Sequence, residues 1–107
     1  MKNIKETIKL LEYIQQNSEV TQRELVEELE VSLGKVNFLV KVLTEKGIIK
    51  LKRFKKSNDK MAYLYLITPK GIANKAHITR EFLKLKLKEY DDLREEIKCL
   101  KRDIVGK

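Results

Sequence analysis

The sequence predicts a mainly helical fold with one small β-hairpin, followed by a long C-terminal helix. Apolar residues recur at helical spacing through residues 4–46, two apolar stretches flank a turn-rich basic loop at 55–60, and nothing after Pro69 stops a helix until Gly106. A chain of 107 residues is expected to form one domain with a modest core, here with an appended helix.

Two short helices open the chain. In the first, the apolar residues at helical spacing are Ile4, Ile8, Leu11 and Ile14. This pattern predicts a helix over 4–16 with Asn3 as its N-cap. Thr21 and Glu24 have the spacing of a capping box, which predicts a second helix over 22–29.

A third helix follows after a very short turn. Ser32 can accept the N-cap hydrogen bond, and we expect the helix to run to Lys46, where Gly47 supplies the left-handed residue of a Schellman ending. The residues expected to face the core are Val36, Leu39, Val40 and Leu43. The residues expected to point outward are Ser32, Gly34, Lys35, Asn37, Phe38 and Lys41.

A β-hairpin and a long helix complete the predicted fold. Apolar and basic residues partly alternate over 48–54, and the Tyr- and Leu-rich stretch 61–67 is the expected return strand. Thr68 is the expected cap and Pro69 the first residue of the last helix. At roughly 35 residues this helix would be about 50 Å long, which exceeds what a small domain can cover.

Positive charge is concentrated in the middle of the chain. Residues 31–60 hold nine Lys or Arg and two acidic residues, a net charge of +7, while residues 1–30 sum to −3 and residues 61–107 to +4. Solubility needs only mixed charges, so this segregation indicates a surface that binds a partner. The basic segment spans helix, strand and loop, the order in which a winged helix-turn-helix meets DNA phosphates. We therefore expect double-stranded DNA as the partner.

The third helix carries the expected base contacts, because the second helix of a helix-turn-helix enters the major groove. Lys35 suits phosphate or guanine acceptors, and Asn37 has the groups for a bidentate pair with adenine. Phe38 either touches thymine methyl groups or packs on the hairpin or the second helix. Gly34 costs about 1 kcal/mol in a helix relative to Ala, which either close approach to DNA or a tight helix–helix crossing would explain.

The hairpin supplies a second group of expected DNA contacts. Six basic residues and one acidic residue occupy positions 50–60, an imbalance that favours phosphate binding over an ordinary solvated hairpin. The basic residues are Lys50, Lys52, Arg53, Lys55, Lys56 and Lys60.

The last part of the long helix carries a heptad repeat that Lys86 interrupts once. Its seam residues are Leu83, Tyr90, Leu93, Ile97, Leu100 and Ile104. The flanking charges are Glu89 and Glu96 at g and Arg94 and Lys101 at e. Such a helix either packs on its own domain or pairs with a second copy. Because the domain cannot cover so long a helix, we expect a homodimer through this seam, and the attraction between the g and e charges favours a parallel pair. Residues 1–68 are then the winged helix-turn-helix DNA-binding domain and 69–107 the dimerisation helix.

Other classes of protein lack the residues that they need. One Cys and one His cannot form a structural zinc site alone, and no Ser/His/Asp set or glycine-rich phosphate loop indicates an enzyme, so we expect neither catalysis nor a cofactor. No apolar run approaches the roughly 18 residues of a membrane-spanning helix. The N-terminal segment also lacks the apolar core of a signal peptide, and a cytoplasmic protein is expected.

Three segments resemble one family of DNA-binding proteins. They are Ser32-Leu33-Gly34-Lys35-Val36-Asn37, Leu43-Thr44-Glu45-Lys46-Gly47-Ile48-Ile49 and Tyr65-Leu66-Ile67-Thr68-Pro69-Lys70-Gly71. Together they resemble the winged helix-turn-helix of MarR-family transcriptional regulators, and more narrowly the small MarR-like regulators associated with exopolysaccharide biosynthesis loci. The resemblance covers about residues 3–104 and implies a sequence-specific regulator of transcription, with exopolysaccharide genes as the candidate targets.

The chain also departs from the pattern of that family. One C-terminal helix stands where MarR proteins carry several helices that dimerise and line an effector pocket, so a pocket for a phenolic effector is not expected. Asp59-Lys60 stands where these regulators often place Asp and Arg, and lysine keeps the attraction to phosphate but not the bidentate geometry. Two other functions stay open: a protein-interaction module with an incidental basic surface, and a nonspecific architectural DNA-binding protein.

Overall fold

Helices and one hairpin follow each other in the order expected from the sequence. The computed structural model describes residues 3–17, 19–55 and 61–106. Its elements are α1 (Ile4–Gln16), α2 (Gln22–Leu29), α3 (Leu33–Glu45), β1 (Ile49–Lys55), β2 (Met61–Ile67) and α4 (Pro69–Val105). The strands pair antiparallel, from Ile49 opposite Ile67 to Lys55 opposite Met61. The predicted fold class is confirmed: a winged helix-turn-helix followed by one long helix.

Three helices begin at the side-chain caps that the sequence predicts. The side-chain oxygens of Thr21, Ser32 and Thr68 accept hydrogen bonds from the backbone N–H groups of Glu24, Lys35 and Gly71 at 3.3, 3.1 and 2.9 Å. Each bond satisfies one N–H group that has no partner inside the helix, and each is worth about 1 kcal/mol.

Asn3 is the N-cap residue of α1 as predicted, but its side chain does not cap the helix. Asn3 has a φ of 69°, in the left-handed region, and its side chain makes no cap hydrogen bond. Its carbonyl oxygen instead accepts from the N–H of Thr7 at 2.9 Å. An N-cap residue needs extended backbone to aim its side chain at the helix start. Asparagine is both a good cap and one of the few non-glycine residues that adopt left-handed backbone, so the residue type alone did not decide between them.

The end of α3 is the predicted Schellman motif. Gly47 has a φ of 74° and donates its N–H to the carbonyl of Thr44 at 3.0 Å, while Ile48 donates to Leu43 at 2.9 Å. Because Ile48 closes this motif, β1 begins one residue later than predicted, at Ile49. The helix likewise ends one residue earlier than predicted.

One hydrophobic core joins α1, α2, α3 and the hairpin. Its completely buried side chains include Leu10, Leu11, Val20, Leu25, Val36 and Ile49. The predicted inward face of α3 is confirmed, since Val36, Leu39 and Leu43 are buried and Val40 is half-buried. This burial fixes the rotation of α3 and therefore determines which of its residues face solvent.

The first turn of α4 is attached to the end of α3. The hydroxyl oxygen of Thr68 lies 2.6 Å from the carbonyl oxygen of Gly47 and 2.9 Å from that of Ile48. A Cβ atom at Gly71 would lie 2.0 Å from the Ile48 oxygen, so only glycine fits there. The next turns of α4 pack along α1: Lys75 donates a hydrogen bond to Gln15 at 2.8 Å, and Ile78 packs against the core. The rest of α4 extends away from the core, and the described part of the chain extends over 74 Å.

Candidate nucleic-acid interface

The outward surface of α3 follows a line through Gly34 and Lys41, which we call the ridge. Successive residues of an α-helix are turned by about 100°, so these two residues, seven positions apart, lie nearly on one line opposite the buried face. Both are exposed. Asn37 and Phe38 lie on either side of the line and are also exposed. A major groove that received α3 would meet these four residues first.

Asn37 is held from one side by α2. Its Oδ1 accepts a hydrogen bond from Nε2 of Gln22, and Oε1 of Gln22 accepts from the hydroxyl of Tyr65 at 3.2 Å. Burial raises the pKa of Tyr65, so the hydroxyl keeps the proton that it donates. Gln22 was not among the predicted contacts. Its partners are 15 and 43 residues away in sequence, so no local pattern indicates it.

Phe38 lies on the flank of α3 opposite to α2 and the hairpin. Its side chain is 54% exposed and borders a groove that Ile4, Val42 and Ile78 also line, between α1, α3 and α4. The two packing surfaces considered from the sequence were the hairpin and the second helix, and the ring packs toward neither. Its position next to the ridge keeps it accessible to a ligand of α3.

Gly34 has open space around it. A Cβ atom built on this residue would meet only Oγ of Ser32, at 3.9 Å, an ordinary contact. Within the described ranges, the tight helix–helix crossing considered from the sequence is therefore not the reason for a glycine here.

Ser32 and Lys35 lie at the start of α3, away from the middle of the ridge. Ser32 is exposed, and its hydroxyl can still donate to an anion while its oxygen caps the helix. Lys35 is half-buried and, by helical geometry, lies about a third of a turn from Lys41. The structure therefore places the two lysines on different sides of α3, where they suit different phosphates better than one base.

The hairpin presents its basic residues on two faces. Lys50, Lys52 and Arg53 are all exposed. Because side chains alternate along a strand, Lys50 and Lys52 share one face, and Arg53 shares the other with Leu51. Leu51 and Lys41 line one shallow groove, so the Leu51 face is turned toward α3. Arg53 is the described basic residue of β1 that the alternation places on the α3 side.

The remaining predicted contacts of the hairpin cannot be placed. Lys56 and Lys60 lie outside the described residues, as does the side chain of Lys55.

The seam residues of α4 make an apolar stripe, interrupted only at Lys86, that has no cover in the described part of the chain. Their exposed fractions run from 43% to 80%, for Leu83, Tyr90, Leu93, Ile97, Leu100 and Ile104. The interrupting Lys86 holds its ammonium 3.1 Å from the Glu89 carboxylate and 5.1 Å from the ring of Phe82. Its charge is thus directed to the side of the stripe.

Two kinds of site are missing from the described residues. No group of three or more His, Cys, Asp or Glu side chains in these ranges is arranged to hold a metal ion. In the same ranges every helix is either too short or too polar to cross a bilayer.

Residues 7–50 match the family of winged helix-turn-helix DNA-binding domains. The matched segment runs from α1 into the first residues of β1 and includes the whole ridge. No curated protein sequence gives a match.

Solved structures of similar fold are transcriptional regulators. A PadR-like transcriptional regulator from Bacillus cereus superposes with a TM-score of 0.73 at 22% identity, over 86% of this chain and 93% of that chain. A MepR variant from S. aureus gives 0.62 at 22% identity, over 99% and 76%. A MarR variant from E. coli complexed with operator DNA gives 0.56 at 28% identity, over 69% of this chain and 51% of that chain. The resemblance to MarR-like regulators is confirmed at the level of the fold.

Proposed function

We propose that this chain is a homodimeric, sequence-specific double-stranded DNA-binding regulator of transcription. The observation that carries the proposal is the exposed α3 ridge beside a basic hairpin, within a segment of net charge +7. The operator complex of the E. coli MarR variant, which is 28% identical over 69% of this chain, supports DNA as the ligand. The resemblance to exopolysaccharide-associated regulators makes the promoters of such genes the first candidate targets.

Each part of the interface has a separate task in this proposal. The ridge enters the major groove, where Lys41 meets guanine acceptors or a phosphate and the backbone at Gly34 comes close to the DNA. Ser32 and Lys35 bind phosphates at the start of α3. Arg53 and the lysines of the hairpin neutralise neighbouring phosphates or enter the minor groove. The hairpin lysines are Lys50, Lys52, Lys55, Lys56 and Lys60.

The apolar stripe of α4 supports the dimer. Burying one large apolar side chain is worth about 1.5–3 kcal/mol, and the six seam residues would otherwise stay in water. The g and e charges favour a parallel pair, although Glu89 and Arg94 already contact Lys86 and Tyr90 of their own helix. Two winged helix-turn-helix domains on one coiled coil would read a pseudo-palindromic site with half-sites about 10 bp apart or a multiple of that.

The test is fluorescence anisotropy across a salt series, on a duplex from the chain's own upstream region, on exopolysaccharide promoters and on a scrambled duplex. We expect affinity to fall steeply with salt, because each neutralised phosphate releases counterions. A preference of about a hundredfold or more for one native duplex would identify a specific regulator. Salt-steep binding without preference would indicate an architectural protein, and absent binding at low salt would favour a protein-interaction module.

A charge-matched pair of variants separates specific use of α3 from net charge. Lys35→Ala with Lys41→Ala should weaken binding strongly and reduce the salt slope by about two. Lys84→Ala with Lys98→Ala removes the same charge from α4, where both lysines pair with acidic residues of their own helix. If the two double variants lose the same affinity, α3 is not part of the DNA interface.

A further inference from the structure

One hydrogen-bonded chain connects the core to the α3 ridge. It runs from the hydroxyl of Tyr65 to Oε1 of Gln22 and from Nε2 of Gln22 to Oδ1 of Asn37. We call these three side chains the amide relay. Each member comes from a different element: β2, the first residue of α2, and α3.

The inner end of the relay is fixed. Tyr65 is 5% exposed and belongs to the core, and its backbone N–H donates to the carbonyl oxygen of Val20 at 3.0 Å. Its phenol has few alternative positions, because core side chains occupy single rotamers. The outer end, Asn37, is exposed and next to the ridge. An exposed asparagine normally samples several rotamers, so the hydrogen bond from Gln22 restricts a side chain that would otherwise be mobile.

The direction of the hydrogen bonds defines which end of the Asn37 amide is available. In the structure the Tyr65 hydroxyl donates to the Gln22 carbonyl, and the NH₂ group of Gln22 donates to Asn37. The Asn37 carbonyl therefore turns toward α2, and its NH₂ group, on the other branch of the planar amide, turns away from α2. A bidentate pair with adenine needs both groups of the amide directed at one base edge.

We propose that Tyr65 and Gln22 are positioning residues that orient the Asn37 amide, so that Asn37 offers its NH₂ group to a base acceptor in the major groove. The acceptor chemistry is that of guanine N7 or O6, thymine O4 or adenine N7. Because Gln22 already engages one of the two lone pairs of Asn37 Oδ1, this assignment gives the NH₂ group the main role, where residue type alone suggested a bidentate pair with adenine. This inference rests on the proposed function, because it assigns specificity within the same α3 interface.

The experiment measures base preference in full-length variants. Wild-type chain first selects its sites from random duplexes, and anisotropy on every single-base-pair variant of the best site then gives a discrimination profile. Asn37→Ala should identify the base pair that Asn37 reads. Gln22→Ala and Tyr65→Phe should lower discrimination at that same base pair by about two- to tenfold, the equivalent of one hydrogen bond, with an unchanged salt slope.

Two matched controls and one spectroscopic readout separate orientation from damage to the fold. Tyr63→Phe removes a hydroxyl from an exposed tyrosine of the same strand, and Gln16→Ala truncates an exposed glutamine of α1. Neither should change the profile. In the DNA-unbound chain, Tyr65→Phe should shift the NMR signals of the Asn37 side-chain NH₂ group, while Tyr63→Phe should not.

The outcomes distinguish the relay from the function on which it rests. If wild-type discrimination is strong and survives in both Gln22→Ala and Tyr65→Phe, the relay is overturned and the proposed function stands. A loss spread evenly over all base pairs would also overturn the relay, because it would indicate a general effect on docking. If the wild-type chain itself shows no sequence preference, the proposed function fails, and the relay fails with it.

Discussion

Replacing Gly34 by alanine should separate the stability of α3 from its approach to DNA. The added methyl group would meet only the Ser32 hydroxyl oxygen, at 3.9 Å, so it fits without strain. Alanine is favoured over glycine in a helix by up to about 1 kcal/mol. The main reason is that an alanine has less backbone entropy to lose when the chain folds than a glycine has. Gly34→Ala should therefore unfold at a temperature higher by about 4 °C, followed by circular dichroism.

Binding should change in the opposite direction. If the α3 backbone approaches the DNA at Gly34, a methyl group forced into that contact costs about 1–3 kcal/mol, as overpacking does in a well-packed interface. At 1.4 kcal/mol for each factor of ten, the loss of affinity is about five- to a hundredfold. Anisotropy on the selected duplex, at one salt concentration, measures this loss.

The matched control is Ala73→Gly, the reverse exchange at an exposed position of α4. It should lower stability by about 1 kcal/mol and leave affinity unchanged. A Gly34→Ala chain that is more stable and binds as tightly as wild type would refute close approach at this residue. A chain that is less stable would refute the reasoning from open space.

Three further changes test other parts of the structure. Gly71→Ala should destabilise the chain by more than about 3 kcal/mol in urea unfolding, since its Cβ atom would overlap the Ile48 carbonyl oxygen at 2.0 Å; a small effect would contradict that contact. Ile97→Asp should dissociate the dimer in sedimentation equilibrium, while Val105→Asp, off the seam and 82% exposed, should not. Burial raises the pKa of Tyr65 in the folded chain above 10.0, so folding favours the protonated phenol. The stabilisation from this pKa difference is complete below pH 10 and is lost as the pH rises through the folded-state pKa. Tyr65→Phe should reduce this alkaline loss, and an unchanged pH profile would contradict the assignment.

Local signals predicted most of the fold. The first and last residues of α1, α2 and β2 were predicted correctly. Each of these elements either adjoins a residue that favours a cap or a turn, or has a clear spacing of apolar residues. Gly47 is an example. A glycine directly after an amphipathic helix commonly adopts the left-handed backbone that ends the helix, and Gly47 has a φ of 74°. At Asn3 the position of the cap was predicted but the absence of its side-chain hydrogen bond was not, since asparagine suits both extended and left-handed backbone.

The candidate interface was predicted less completely, because it depends on contacts between elements. Helical spacing identified the outward residues of α3, yet it could not reveal that Asn37 and Phe38 face different neighbours. Gln22 carries no signal of its own, and its role depends on how α2, α3 and β2 meet. Charge segregation located the basic hairpin, while the alternation of its strand placed Arg53 and Lys52 on opposite faces.

The attachment of α4 to the end of α3 would determine the spacing of the two half-sites that the proposed dimer binds. From its cap at Thr68 to Val105 the helix is continuous, so the rotational phase of the stripe is fixed relative to the recognition helix. One alanine inserted after Arg80 would turn the stripe by about 100° and redirect the two domains away from a common face of the duplex, although every DNA contact of each domain remained. An insertion of seven residues would nearly restore the phase, so the number of residues between the attachment at Thr68 and the apolar stripe would determine the operator spacing.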